Sequence, residues 1–289
     1  VPFGAGGGSD IMARAVHRVI VDNKLLPVTM VVTNRPGGSG AIGWTYVAGR
    51  RGDPHVVATV SSSFYTQPLI GGMPVSFKDF TPITGFALDT LVLLVNSRTS
   101  RFFEIDQLVA WAREFPRDLK IGGTGGTSDD AVATNMLSRK AGVEFRYVPF
   151  ASGGEVMTAL LGDHVDIVWA NPGEALSQMR AGRARPLAVA YSVRLPLLPD
   201  VPTFKERGID ISFAQFRGIV APKDIPPEAA AYLRNLFRKV AESSDWQEDY
   251  IKPNMLFPRF LDGEAFGKEI PRVVEMYRSA FEQMGVLRR

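Results

Sequence analysis

The chain has no cysteine and only three histidines in 289 residues. The first absence removes disulfides, thiol nucleophiles and thiolate metal sites, and leaves the compartment open, because many proteins of oxidising compartments also lack cysteine. His17, His55 and His164 lie far apart without an H-E-x-x-H pair, so each reads as a surface or structural histidine and no metal centre is expected. No apolar run approaches the roughly 20 residues that span a bilayer, the longest strand-like runs being Leu91–Val95 and Ile167–Ala170. A basic stripe interleaved with aromatics is also missing. The net charge of +3 is spread along the chain, which argues against nucleic acid and suits a small anionic ligand.

What the chain does have is a repeated glycine-rich turn: GAGGGSD at Gly4 to Asp10, RPGGSGAIG at Arg35 to Gly43, and GTGGTSDD at Gly123 to Asp130. Each follows a β-prone run and precedes a helical apolar pattern, so each is expected to aim free backbone N–H groups from a helix start toward an anion. The phosphate fingerprints fail. The third glycine of G-x-G-x-x-G falls on Ser9 in the first turn and on Ser128 in the third, neither turn ends in G-K-[ST], and Gly37-Gly38-Ser39-Gly40-Ala41 breaks the nucleophile-elbow pattern at Ala41. Glycine that merely permits tight turns is the bland reading of each. Ser and Thr hydroxyls with an acid at two of the helix starts favour a carboxylate ligand held by N–H and hydroxyl donors. Asp10 is expected as the N-cap of its helix, unless the ligand carries an amine. Arg217 stands before a glycine and a strand, where it either offers a guanidinium to a carboxylate or is solvated. Phe64, Tyr65 and Phe150 either wall a pocket or pack a core.

Hydrophobic residues at 45% and charged residues at 22% describe a globular chain long enough for two domains. Strand candidates at Val1–Phe3, Val28–Thr33, His55–Val60, Leu91–Val95, Leu119–Ile121, Glu144–Val148, Val165–Ala170, Pro186–Ala190 and Phe216–Ala221 alternate with helical patterns, and everything from Pro226 onward reads as helical. That alternation predicts α/β architecture with mostly parallel sheets flanked by helices, divided into residues 1–97 plus 221–289 and residues 98–220. The first turn follows Val1 by only three residues, as expected of processing within a first strand, so a leader peptide is not visible.

The segments VPFGAGGGSDIMAR, VVTNRPGGSGAIG, GTGGTSDD, YVPFASGGEVMTALLGDHVDIVWANPGEAL, GRARPLAVAYSVRLPLLPDVPTFKERG and FRGIVAPKDIP, in that order, resemble the Bug receptors, the periplasmic solute receptors of tripartite tricarboxylate transporters. The resemblance covers most of the chain. It implies a two-lobed periplasmic-binding architecture of type II with a ligand cleft between lobes, no catalysis and no cofactor. It also implies a periplasmic location, a small carboxylate as ligand, integral membrane transporter subunits as partners, no nucleic acid, and a monomer.

Carried onto this sequence, the first-lobe contacts are Ala5, Gly6, Gly7, Ser9 and Asp10, beside Ser62, Ser63 and Phe64. Those of the second lobe are Thr124, Gly126, Thr127 and Ser128, with Phe150, Ala170 and Asn171 closing the pocket. The sequence departs from the family's common pattern at Ala5-Gly6, in place of a proline-glycine pair, and at Asp129, where a histidine often follows the serine. Those departures leave a citrate-like acid, a linear dicarboxylate and an aromatic acid all open. A dinucleotide-using α/β enzyme and a sensor feeding a signalling kinase are the alternatives.

Overall fold

A computed structural model describes residues 1–287. In chain order the elements are α1 (Gly8–Asp22), α2 (Ala41–Ala48), β1 (Ala58–Val60), α3 (Ser62–Thr66), β2 (Phe80–Thr90), β3 (Val92–Asn96), α4 (Ile105–Glu114), β4 (Lys120–Thr124), α5 (Asp129–Ala141), β5 (Arg146–Phe150), α6 (Gly153–Leu161), β6 (Ile167–Ala170), α7 (Pro172–Arg180), β7 (Ala184–Val189), β8 (Ala214–Pro222), α8 (Pro227–Glu242), β9 (Phe257–Asp262) and α9 (Gly263–Gln283). They form two compact units, Val1–Leu88 with the chain from Gln215 onward, and Asp89–Ala214.

The first unit holds a four-stranded sheet in the order β1-β8-β2-β9, with β1 antiparallel to β8 and β2 antiparallel to β9. Helix α1 exists because Met12, Val16, Val19 and Ile20 fall on one face at helical spacing, and that face is buried with Phe86, Phe237 and Trp246. A second aromatic cluster joins Trp44, Phe64, Phe80 and Tyr65 by edge-to-face contacts.

The second unit holds a five-stranded sheet in the order β5-β4-β6-β3-β7. Strand β4 runs parallel to β5 and β6, whereas β3 is antiparallel to β6 and β7. Trp169 anchors the core on one face, fully buried, with its indole N–H donating to Thr134 Oγ1 at 3.0 Å.

The α/β class agrees with the sequence reading, and three details differ. The five-stranded sheet is mixed in direction, and in the four-stranded sheet β1–β8 and β2–β9 are antiparallel, where mostly parallel sheets were expected. The units exchange at Leu88/Asp89 and Ala214/Gln215 where 97/98 and 220/221 were expected, because β3 pairs inside the second sheet and β8 inside the first. Strands β2 and β9 lie where no strand was expected, while Val28–Thr33 joins no ladder among the described residues.

Candidate functional site

In the first unit, the turn from Gly4 to Gly8 is shaped by Asp10. Its Oδ2 accepts from the Gly6 N–H and from Arg14 Nε, and its Oδ1 accepts from Asn34 Nδ2, each at 2.9 Å. Asn34 in turn donates to the Phe3 carbonyl. The Arg14 guanidinium, helped by the Gly6 and Asn34 donors and opposed by burial, holds the Asp10 carboxyl down to about 2. Asp10 is therefore not the N-cap. That position belongs to Gly7, which lacks a capping side chain, and Asp10 sits inside the first turn as a buried brace.

This arrangement spends the Gly6 N–H on Asp10 and leaves others free. Among the described residues, the N–H groups of Gly7, Gly8 and Ser9 and the Ser9 hydroxyl have no hydrogen-bond partner. They sit at the positive end of α1, a 15-residue helix. Ala5 is exposed beside them.

Strand β8 brings a cation to the same place. Arg217 is only 6% exposed, and a methyl group added at Gly8 would lie 2.9 Å from its Nη2, so the guanidinium rests directly on the start of α1. Two positions earlier, Gln215 Oε1 accepts from the Ser62 N–H at 2.8 Å at the start of α3. Residues two apart on a strand share a face about 7 Å from each other. Gln215 and Arg217 thus set the N-termini of α3 and α1 side by side. The Ser61 hydroxyl is buried there without a hydrogen-bond partner among the described residues, and Ser62 and Ser63 are half-buried.

Phe64 is a correction. It is fully buried among Trp44, Tyr65 and Phe80, because the turn of α3 points it inward, and it belongs to the core instead of a binding surface.

In the second unit, the parallel strands β5, β4 and β6 end together. Thr124 pairs with Phe150 across β4 and β5, and Gly122 with Val168 across β4 and β6, so Thr124, Phe150 and Ala170 occupy neighbouring carboxyl ends, where ligands bind in open α/β sheets. Asn171 occupies the N-cap position of α7 without a side-chain capping bond and donates instead from Nδ2 to the Thr90 carbonyl at 3.3 Å.

The glycine turn between β4 and α5 is braced as the first one is. Asp130 Oδ2 accepts from the Thr124 N–H at 2.7 Å and from its hydroxyl at 2.9 Å. Gly125 takes a left-handed conformation, donates to the Phe150 carbonyl and accepts from the Tyr147 hydroxyl at 2.8 Å. The Ser128 hydroxyl caps α5 by accepting from the Ala131 N–H. Thr124 and Ser128 thus serve the turn itself, while the Gly126 and Thr127 N–H groups and the Thr127 hydroxyl have no hydrogen-bond partner among the described residues.

Electrostatically the two turns differ. Burial pushes the Asp130 carboxyl up to about 7, with the nearby Asp129 and Glu174 charges adding to the rise against the Thr124 donors. The Tyr147 hydroxyl is raised as well, first by burial.

Sequence reasoning missed Asn34, Tyr147 and Gln215, and left Arg217 undecided. Only Arg217 carried a local signal, a charged residue entering an apolar strand, FRGIVA. Among the described residues no cluster of three or more His, Cys, Asp or Glu is arranged to hold a metal, and no helix is long and apolar enough to cross a membrane.

The family model of the tripartite tricarboxylate transporter family receptor matches residues 13–256. The chain is 28% identical over 251 residues to the protein BugT of Bordetella pertussis, covering 84% of this chain and 75% of BugT. A ligand-free TctC solute-binding protein from Polaromonas has a similar structure at 30% identity, with a TM-score of 0.81 over 98% of this chain and 96% of that one. Two proteins of Rhodopseudomonas palustris share the fold: one solved with adipate, at 23% identity and a TM-score of 0.87 over 99% and 95% of the two chains, and MatC solved with malate, at 21% and 0.78 over 97% and 96%.

Proposed function

Because the chain belongs to the tripartite tricarboxylate transporter receptor family, a family of solute-binding receptors and not of enzymes, we propose that it captures a small dicarboxylate or a related organic acid in the periplasm and delivers it to membrane transporter subunits. The observation that carries the ligand class is Arg217, buried against the amino end of α1. A guanidinium facing the positive end of a helix is an arrangement that an anion stabilises, and the free N–H groups of Gly7, Gly8 and Ser9 supply directed donors for its oxygens. Malate and adipate, bound by two proteins of the same fold, are acids of this kind.

Ser9, Ser62 and Ser63 add hydroxyl donors in the first unit. In the second unit Gly126 and Thr127 are neutral donors beside Asp129 and Asp130, a setting that disfavours a bare second charge. The donors of the first unit therefore suit a fully ionised carboxylate, whereas those of the second unit, Thr127 with Phe150, Ala170 and Asn171 near the same strand ends, suit a neutral polar group.

Titration calorimetry and thermal melting with malate, adipate, citrate, amino acids and benzoate test this reading. A matching acid at 100 times its dissociation constant adds about 2.7 kcal/mol and raises Tm. Arg217→Met is expected to weaken that acid at least about 100-fold, and Ser9→Ala or Thr127→Ala by about five- to tenfold each. Melting that no carboxylate shifts, or affinity that Arg217→Met leaves intact, overturns the proposal.

A further inference from the structure

One carboxyl oxygen of Asp130 is bound and the other is bare. Oδ2 takes both Thr124 donors, the N–H at 2.7 Å and the hydroxyl at 2.9 Å, whereas Oδ1 has no hydrogen-bond partner among the described residues. The side chain is only 6% exposed, yet Oδ1 keeps contact with solvent. A carboxyl group fixed through one oxygen presents the other in a set direction. The turn that Asp130 braces carries the free N–H groups of Gly126 and Thr127 and the Thr127 hydroxyl. A single turn thus offers directed donors and, beside them, a carboxyl oxygen with capacity to spare.

The charges that act most strongly on Asp130 are acidic. Asp129 precedes it on α5, and Glu174 acts from the start of α7. Thr124 of β4 is neutral, and Tyr147 of β5 commits its hydroxyl proton to the Gly125 carbonyl at 2.8 Å. Burial, together with those two acids, pushes the Asp130 carboxyl up to about 7, so its proton exchanges near neutral pH. An ionised Asp130 in hydrogen-bond contact with a ligand carboxylate would set two like charges side by side. One proton between them removes that repulsion, as in carboxyl pairs that share a proton. The N–H donors of the turn then face the single charge that remains.

We propose that Asp130 is a specificity-determining residue of the second unit: Oδ1 donates a proton to one oxygen of the ligand's second carboxylate, the Gly126 and Thr127 N–H groups hold the other oxygen, and a dicarboxylate therefore binds together with one proton. The proposal rests on the carboxylate reading above and extends it to the second end of the ligand. The neutral group that this turn suits is, for a dicarboxylate, a carboxyl pair sharing a proton taken up from solvent. An acid whose far end is uncharged needs no such proton.

Titration calorimetry at pH 6 and pH 8, in two buffers of different ionisation enthalpy, tests this with adipate, with malate, and with the monomethyl ester of whichever acid binds. Both carboxyls of each diacid are largely ionised over this range. With the Asp130 carboxyl at about 7, the diacid is expected to bind about tenfold more weakly at pH 8 than at pH 6. It should take up close to one proton at pH 8 and close to none at pH 6, while the ester shows neither effect. Asp130→Asn replaces the protonated acid with an amide that has one acceptor and one donor, and is expected to keep the pH 6 affinity at both pH values without proton uptake. Diacid affinity equal at the two pH values with no uptake at pH 8, or an ester or an Asp130→Asn variant that follows the same pH dependence, overturns the proposal and leaves the carboxylate reading standing. Binding of neither diacid at either pH overturns both. The uptake measurement uses the unaltered chain, so the test does not hinge on the folding of the variant.

Discussion

Asp10 and Asp130 occupy matching places, each in the first turn of a helix that follows a glycine turn, and each folds its carboxylate back onto that turn. Their surroundings drive them apart. Asp10 has three donor groups, one of them the Arg14 cation, and is held to about 2. Asp130 has only the two Thr124 donors and two acidic neighbours, and is raised to about 7. Both start from an ordinary value of 3.8. The contribution of Asp10 is therefore complete above pH 3.8 and lost as pH falls toward 2, whereas that of Asp130 is complete below pH 3.8 and lost as pH rises toward 7. Urea midpoints measured from pH 2 to 8 are expected to show Asp10→Asn removing the acid limb and Asp130→Asn flattening the decline toward neutral pH. An Asp130→Asn profile that keeps the wild-type slope contradicts this assignment. The acids were visible in the sequence as helix-start residues. Their opposite charge states were not, because Asn34, Arg14 and Glu174 reach them only in the fold.

At the scale of elements, the junction of β4 and α5 is set by Gly123. A methyl group there would lie 2.5 Å from Asp130 Cβ and 2.6 Å from the Tyr147 hydroxyl oxygen, so only glycine lets the helix start pack on the strand end. Gly123→Ala is expected to cost about 1–3 kcal/mol by denaturant unfolding. Gly154, inside α6 with nothing nearer than 3.9 Å to an added methyl, gives the opposite sign: Gly154→Ala is expected to stabilise by about 0.5–1 kcal/mol. Equal effects at the two positions defeat the packing argument. Most helices and the strands of the second unit were legible from periodicity and caps, to within a few residues. Strand β2 escaped because Pro82 and Gly85 interrupt its pattern, and β9 because it is short, contains Pro258 and runs straight into α9. Val28–Thr33 reads as a strand locally, yet a ladder needs a partner, and no neighbour supplies one among the described residues.

At the scale of the molecule, one unit is continuous in sequence and the other is not. The five-stranded sheet lies wholly within Asp89–Ala214, and the Thr90 hydroxyl ties its ends together by contacts with the Ala190 and Phe213 carbonyls at 3.0 and 2.8 Å. The excised fragment Asp89–Ala214 is expected to fold alone and melt cooperatively by circular dichroism. A fragment without a cooperative transition shows that its core depends on the rest of the chain. The sequence by itself determined the succession of strands, glycine turns and helices, because turn chemistry and periodicity act over a few residues, and its ordered segments carried the resemblance to the receptor family. Only the tertiary structure decided that Phe64 packs in the core, that Asp10 braces instead of capping, and that Arg217 meets Gly8 from more than 200 positions away. Contacts of that separation are fixed by which faces the sheets and helices bury together, and no local pattern encodes them.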